Sequence, residues 1–255
     1  MADDTDLRTV PNLGLALGGG GVLGAAHVGV LQVLRERGIA PAMVAGTSAG
    51  ALIGAAYAGG LDPYRLESIV LGSDWRDVGD LSLAPGLGLL DTTRLRRTIE
   101  HLGGDTLIEN LPVPYAAIAT DIVTGDAVAL TRGSLVEALR ASIAVPGLFR
   151  PPRINGRLLV DGGLAENLPI EHAFALGAKH VIAVRLVPEW DALPNVRSSA
   201  RVHELEIRPD VTLIHPKLGH RSQWVMRDLP ELVELGREAA ERVLDDYPVV
   251  EPRPE

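Results

Sequence analysis

Apolar residues occur in short blocks set apart by glycine clusters, and their spacing alternates between two periods. Residues 13–17 form a brief apolar run that stops at glycines, residues 25–37 carry apolar positions at helical spacing, 43–46 is again a short run, and 49–58 is helical. The segment 13–60 therefore reads as a βαβα unit, and its strands are expected to be parallel because each is followed by a helical crossover. Further on, residues 72–90 lack a sustained period and read as a loop. Asp91-Thr92-Thr93 is expected to cap a helix running to about His101, which Gly103-Gly104 ends.

Residues 115–121 and 127–131, joined through Thr124-Gly125-Asp126, form a hairpin-like pair. Residues 134–144 read as a helix stopped by Pro146-Gly147, and the turn Asn155-Gly156 leads into Leu158-Leu159-Val160-Asp161-Gly162-Gly163. A helix over 170–176 and a buried strand over 181–187 follow, then a polar linker over 188–201, a strand over 211–214 and an amphipathic helix over 229–246. The division this implies is an N-terminal tail (1–12), one α/β domain (13–187), an extension packed on the same domain (188–247) and a disordered tail (248–255).

Composition narrows the chemistry. The formal charge of −9 argues against nucleic acid as a partner, since phosphate binding needs concentrated positive surface. No cysteine is present, which removes disulfides, thiolate catalysis and sulfur-ligated zinc. The first residues are acidic where an export signal would be basic, so the reading is cytoplasmic. Residues 49–61 fall short of the roughly 20 apolar residues of a membrane span, so contact with a membrane is expected to be peripheral and transient.

Candidate chemistry begins at Gly18-Gly19-Gly20-Gly21-Val22-Leu23-Gly24, between a predicted strand and helix. Its backbone N–H groups converge at the positive end of that helix and form an anion site. Alone, this pattern fits a dinucleotide pyrophosphate, an acyl-transfer oxyanion or a plain tight turn. A dinucleotide site would carry an acid about 20 positions on, at the end of the second strand. That strand ends instead in Gly46-Thr47-Ser48-Ala49-Gly50, a G-x-S-x-G turn that thrusts a serine hydroxyl above the sheet. Consecutive parallel strands set the two motifs side by side, with the loop amides facing the carbonyl that Ser48 would attack.

Serine needs a proton acceptor. None of the seven histidines (His27, His101, His172, His180, His203, His215, His220) sits in a motif. Asp161 does: it ends an apolar strand and precedes Gly162-Gly163, although an Asp-Gly turn alone is common. Partial desolvation would raise its pKa from about 3.9 toward that of a useful base. A conventional triad using His215 or His220 and a regulatory anion-binding protein without catalysis remain the alternatives.

The motifs GGGGVLG, GTSAG and DGG, with the runs AAHVGVLQVL, AIATDIVTGD, ALRASIAVPGLFRPP and LVDGGLAENLPIEHAFALGAKHVIAV, resemble the patatin-like phospholipases over about residues 13–187. The similarity points to the small bacterial members near the neuropathy target esterase branch. The resemblance implies a three-layer α/β/α sandwich with a mainly parallel sheet and a cofactor- and metal-free Ser–Asp dyad acting on (lyso)phospholipids or related lipid esters. By motif position it implies Ser48 as nucleophile, Asp161 as general base and Gly19, Gly20 and Gly21 as oxyanion donors. Gly24, Gly46, Gly50, Gly162, Gly163 and Asn167 then support the motifs, and Asn167 and Pro169 shape the turn behind Asp161. Many relatives have Arg or Lys where this chain has Leu23, which removes a fixed cation from the loop. Arg150, Arg153 and Arg157 are candidates to replace it. Residues 72–90, with Trp75, Leu81, Leu83, Leu87, Leu89 and Leu90, are a candidate acyl groove or lid.

Overall fold

The computed structural model describes residues 8–72, 80–81, 88–91, 106–186 and 199–245. Strand β1 (Arg8–Leu17) leads through a turn of 3-10 helix (Gly21–Gly24) into α1 (Ala25–Glu36), β2 (Ile39–Thr47), α2 (Ala49–Ala58) and α3 (Pro63–Leu71). After β3 (Asp80–Leu81) and β4 (Gly88–Asp91) come β5 (Tyr115–Asp121), β6 (Ala127–Leu130), α4 (Leu135–Ser142) and β7 (Gly147–Phe149). Next are β8 (Arg153–Ile154), β9 (Arg157–Asp161), α5 (Ile170–Ala175) and β10 (His180–Val184). Helix α6 (Ser199–Glu206), β11 (Val211–Ile214) and α7 (Leu229–Leu244) complete the order.

The central sheet has the order β11-β10-β1-β2-β5-β9-β8, with β6 also on β5. From β11 to β5 every pairing is parallel, whereas β9 and β6 run antiparallel to β5. One hydrophobic core holds α1, α2, α4 and α7 against one face of the sheet; a second, around Leu168, Ile170 and Ala173, holds α5 against the other. The result is the three-layer α/β/α sandwich implied above. Burying β1 and β2 on both sides explains why they read as short unbroken apolar runs.

The C-terminal part belongs to this body: β11 extends the sheet and α7 lies along α1. The two helices cross at glycines. A Cβ on Gly29 would fall 1.9 Å from Val233 O and one on Gly236 2.0 Å from Ala26 O, so only Gly lets the backbones approach this closely.

Several boundaries differ from the sequence reading. Strand β1 begins at Arg8, inside the expected tail; Arg8–Val10 pair with Ile39–Pro41, and the register shifts before Gly14, with Asn12 at φ 65°. That bulge breaks the periodicity and hides the first half of the strand. Helix α3 was not anticipated, although Asp62 caps it by accepting from the N–H groups of Tyr64 and Arg65 with Pro63 in the first turn. Within the expected loop, β3 and β4 form a small sheet with β7. The remainder of 72–90 that bears on the lid, the helix expected over 91–101 and the tail 248–255 lie outside the described residues. So does most of the 188–201 linker, whose end is the start of α6.

Candidate active site

Ser48 follows β2 directly and precedes α2, at φ 52° and ψ −118°. A non-glycine residue rarely adopts this conformation, and it costs on the order of 1–3 kcal/mol unless the surroundings enforce it. Glycines provide the room: a Cβ on Gly50 would lie 2.1 Å from Leu17 O, one on Gly46 2.4 Å from Gly50 O and one on Gly24 2.6 Å from the Ala49 Cβ. Thr47, fully buried, donates its hydroxyl to Glu166 O at 2.9 Å, and the Ser48 N–H donates to Ser142 Oγ, also at 2.9 Å. The elbow is thus held by its backbone, and the side chain faces the cleft.

The register of β5 brings Asp161 to the elbow. Thr47 is paired with Ile118 and Asp161 with Ala119, so the ends of β2 and β9 meet at consecutive positions of one strand. Asp161 has ordinary backbone angles, and its Oδ1 accepts from Gly163 N–H at 2.8 Å. Its Oδ2 is buried and makes no hydrogen bond of good geometry among the described residues. Burial raises the carboxyl pKa from 3.8 to about 6, the neighbouring Ser48 hydroxyl and the Gly163 N–H holding it from rising further. A buried carboxylate so tuned is a stronger base than one in water, and the Ser48 hydroxyl is close enough to act on it.

In the glycine loop the three candidate donors separate. Gly19 N–H donates to Asn167 O at 3.1 Å, so of the three glycines expected as donors it is the one already engaged. Gly20 and Gly21 N–H have no partner among the described residues, and neither does the N–H of Ala49, which follows Ser48. Val22 N–H is occupied by Gln223 O at 2.9 Å. Asn167, next to Gly19 and Gly163, thereby ties the glycine loop to the turn behind Asp161.

Ser48, Asp161, Gly19, Gly20, Gly21 and Asn167 line one cleft of about 190 Å³. Its other walls are mainly apolar: Leu52 and Ile53 from α2, Val70 from α3, Ile143, Val145 and Phe149 after α4, and Trp224, Met226 and Leu229 before and in α7. No Arg, Lys or His is among the described residues of this lining. Leu23, at the loop position of the missing cation, is buried, and Arg150, Arg153 and Arg157 lie outside the cleft. Arg153 donates to Gly156 O and Arg157 lies 3.9 Å from Asp121. They do not replace the loop cation.

The described histidines are elsewhere. His220 lines a separate hollow beside Leu23, and His215 lines neither. His172 pairs with Glu166 and His180 with Thr212 Oγ1, while His101 lies outside the described residues. His27 is different: wholly buried on α1, it hydrogen-bonds through Nε2 to Gly18 O at 2.8 Å. Because Gly18 O only accepts, Nε2 carries the proton, and burial lowers the pKa to about 4, so the ring is neutral. It anchors the start of the glycine loop. Among the described residues no group of three or more His, Asp or Glu is arranged to hold a metal ion.

Comparison with known proteins agrees with this architecture. Residues 15–174 match the family described as Patatin-like phospholipase. An uncharacterised NTE family protein of Mycobacterium tuberculosis is 41% identical over 194 residues, covering 73% of this chain and 53% of that protein. The neuropathy target esterase sws of Drosophila melanogaster is 36% identical over 182 residues, covering 68% of this chain and 13% of that protein. The chain thus spans about half the length of that mycobacterial relative and a smaller part of the Drosophila one. Among solved structures, VipD from Legionella pneumophila aligns with TM-score 0.65 at 14% identity over 93% of this chain and 67% of that chain, a likeness of fold. By the extent of the family match and the strength of these relatives, the chain belongs to the patatin-like phospholipase family.

Proposed function

We propose that this chain is a serine lipid acyl hydrolase that cleaves carboxylic esters through Ser48 and Asp161 alone. The observation that carries this reading is a buried carboxylate, raised to about pKa 6, beside a serine on a strained elbow, in a cleft whose described lining has no histidine. Asp161 Oδ2 takes the hydroxyl proton as Ser48 Oγ bonds to the ester carbonyl carbon. The carbonyl oxygen becomes an oxyanion facing the unpaired N–H groups of Gly20 and Gly21. Collapse breaks the bond to the alcohol, which leaves with the proton from Asp161. Water then repeats the sequence on the acyl-enzyme and frees the acid and Ser48.

The apolar walls suit a fatty acyl chain. With no cation in the described lining, and with Leu23 where many relatives have Arg or Lys, the reading favours lipid esters broadly, (lyso)phospholipids among them, over recognition of a phosphate. Among the described residues no helix is long and apolar enough to cross a membrane, and the proposed meeting with lipid is at a surface. The test is hydrolysis of p-nitrophenyl acetate, butyrate and octanoate, followed by a lipid panel read by mass spectrometry. kcat/KM should rise with acyl length and vanish in Ser48→Ala. Turnover that survives in folded Ser48→Ala sinks the proposal.

A further inference from the structure

Ser142 lies within the run ALRASIAVPGLFRPP, which carries no assigned role, and it does not line the cleft, yet it is fully buried and both hydrogen bonds of its hydroxyl reach the site. Its Oγ accepts the N–H of Ser48 at 2.9 Å and donates to Ile118 O at 2.6 Å. Ile118 is the β5 residue paired with Thr47, immediately before the nucleophile. One hydroxyl therefore links the elbow to the strand beside it. Two residues later, Ala144 O accepts the N–H of Asp161 at 3.0 Å. Residues 142–144 thus hold the backbone of Ser48 through a side chain and that of Asp161 through a carbonyl, and Ile143 between them forms part of the cleft wall.

From this arrangement we infer that Ser142 is a positioning residue for the dyad: its hydroxyl holds Ser48 in the left-handed elbow and, through residues 142–144, sets the nucleophile against Asp161. The inference rests on Ser48 and Asp161 being the reacting pair. Other hydrogen bonds near the elbow do not substitute for it. Ser48 O receives the N–H groups of Ala51 and Leu52, the start of α2, and this fixes the helix but leaves the Ser48 N–H without an acceptor if the Ser142 hydroxyl is removed. A displaced elbow changes the attack distance without changing acyl binding, so the effect should fall on kcat. The same bond also makes the Ser48 amide unavailable to an oxyanion, which leaves that role to the loop and to Ala49.

The experiment compares wild type, Ser48→Ala, Ser142→Ala and Ser142→Cys. Hydrolysis of p-nitrophenyl butyrate and the rate of fluorophosphonate labelling at Ser48 are measured beside thermal midpoints and circular dichroism. Ser142→Ala is expected to keep the fold, to lower kcat and the labelling rate by roughly 10- to 100-fold, and to leave KM within about twofold, as for a small misplacement of a reacting group. Ser142→Cys, which retains a weak donor and acceptor, should fall between Ala and wild type, and it carries the test alone if Ser142→Ala does not accumulate folded. Wild-type kcat and labelling in whichever of the two variants folds, even with a lowered midpoint, would make Ser142 purely structural and overturn the inference, as would a loss confined to KM. Failure of wild type to label at Ser48 would instead overturn the dyad itself, and the inference with it.

Discussion

The two turns that supply Ser48 and Asp161, the proposed reacting pair, are unusual in different ways. At Ser48 the unusual feature is the backbone: φ 52°, glycines packed on carbonyl oxygens, and an amide held by Ser142. At Asp161 the backbone is ordinary and the unusual feature is electrostatic, a carboxylate with one oxygen satisfied by Gly163 and the other buried and free. Steric strain depends on packing and does not change with pH, whereas a desolvated charge does. The elbow should therefore respond to changes in volume and the Asp161 turn to changes in charge.

The largest expected effect separates the reacting atoms from their supports. Ser48→Ala should lower esterase activity by about 10⁴-fold or more while the fold, followed by circular dichroism, is unchanged. Asp161→Asn should lower kcat by roughly 10²- to 10⁴-fold. It should also raise stability at neutral pH. The folded pKa of this carboxyl lies above its unfolded value, so the stability of the neutral form is fully present below pH 3.8 and is lost as pH rises through about 6. Relative to wild type, Asp161→Asn should gain about 3 kcal/mol between acid and about pH 8, seen in urea midpoints at several pH values. His27, with its pKa lowered to about 4, titrates in both proteins and cancels in that difference.

On the steric side, Gly50→Ala puts a methyl 2.1 Å from Leu17 O and should destabilise by about 3 kcal/mol or more at every pH, with no titrating component in its unfolding curve. A pH-dependent penalty there would blur the contrast between the two turns. The smallest effect is expected of His215→Gln and His220→Gln, each leaving kcat/KM within about twofold; a hundredfold loss in either would restore the triad.

Much of this was legible because it is local. The glycine loop, the G-x-S-x-G turn and the DGG turn are contiguous, and α2 and β11 emerge at Ala49–Ala58 and Val211–Ile214 as the apolar spacing predicts. What was hidden depends on backbone atoms far away in sequence. Ser142 acts on Ser48, 94 positions away, and on a carbonyl 24 positions away, and a hydroxyl on a helix carries no periodic signature of either. Gly19 looks equivalent to Gly20 and Gly21 until Asn167 O takes its N–H. His27 reads as one of seven histidines outside any motif, and only its contact with Gly18 O gives it a place beside the glycine loop. The signal available for it was its spacing, three residues into α1 after the loop it anchors.

Whether Asp161 alone activates Ser48 is decided by fluorophosphonate labelling of Ser48, located by peptide mass and timed across pH in wild type and Asp161→Asn. If Asp161 is the base, the wild-type labelling rate rises through about pH 6 and, in Asp161→Asn, is lower by at least about a hundredfold with no such rise. Wild-type labelling in Asp161→Asn, with the rise near pH 6 intact, would contradict that role and assign the proton to another group.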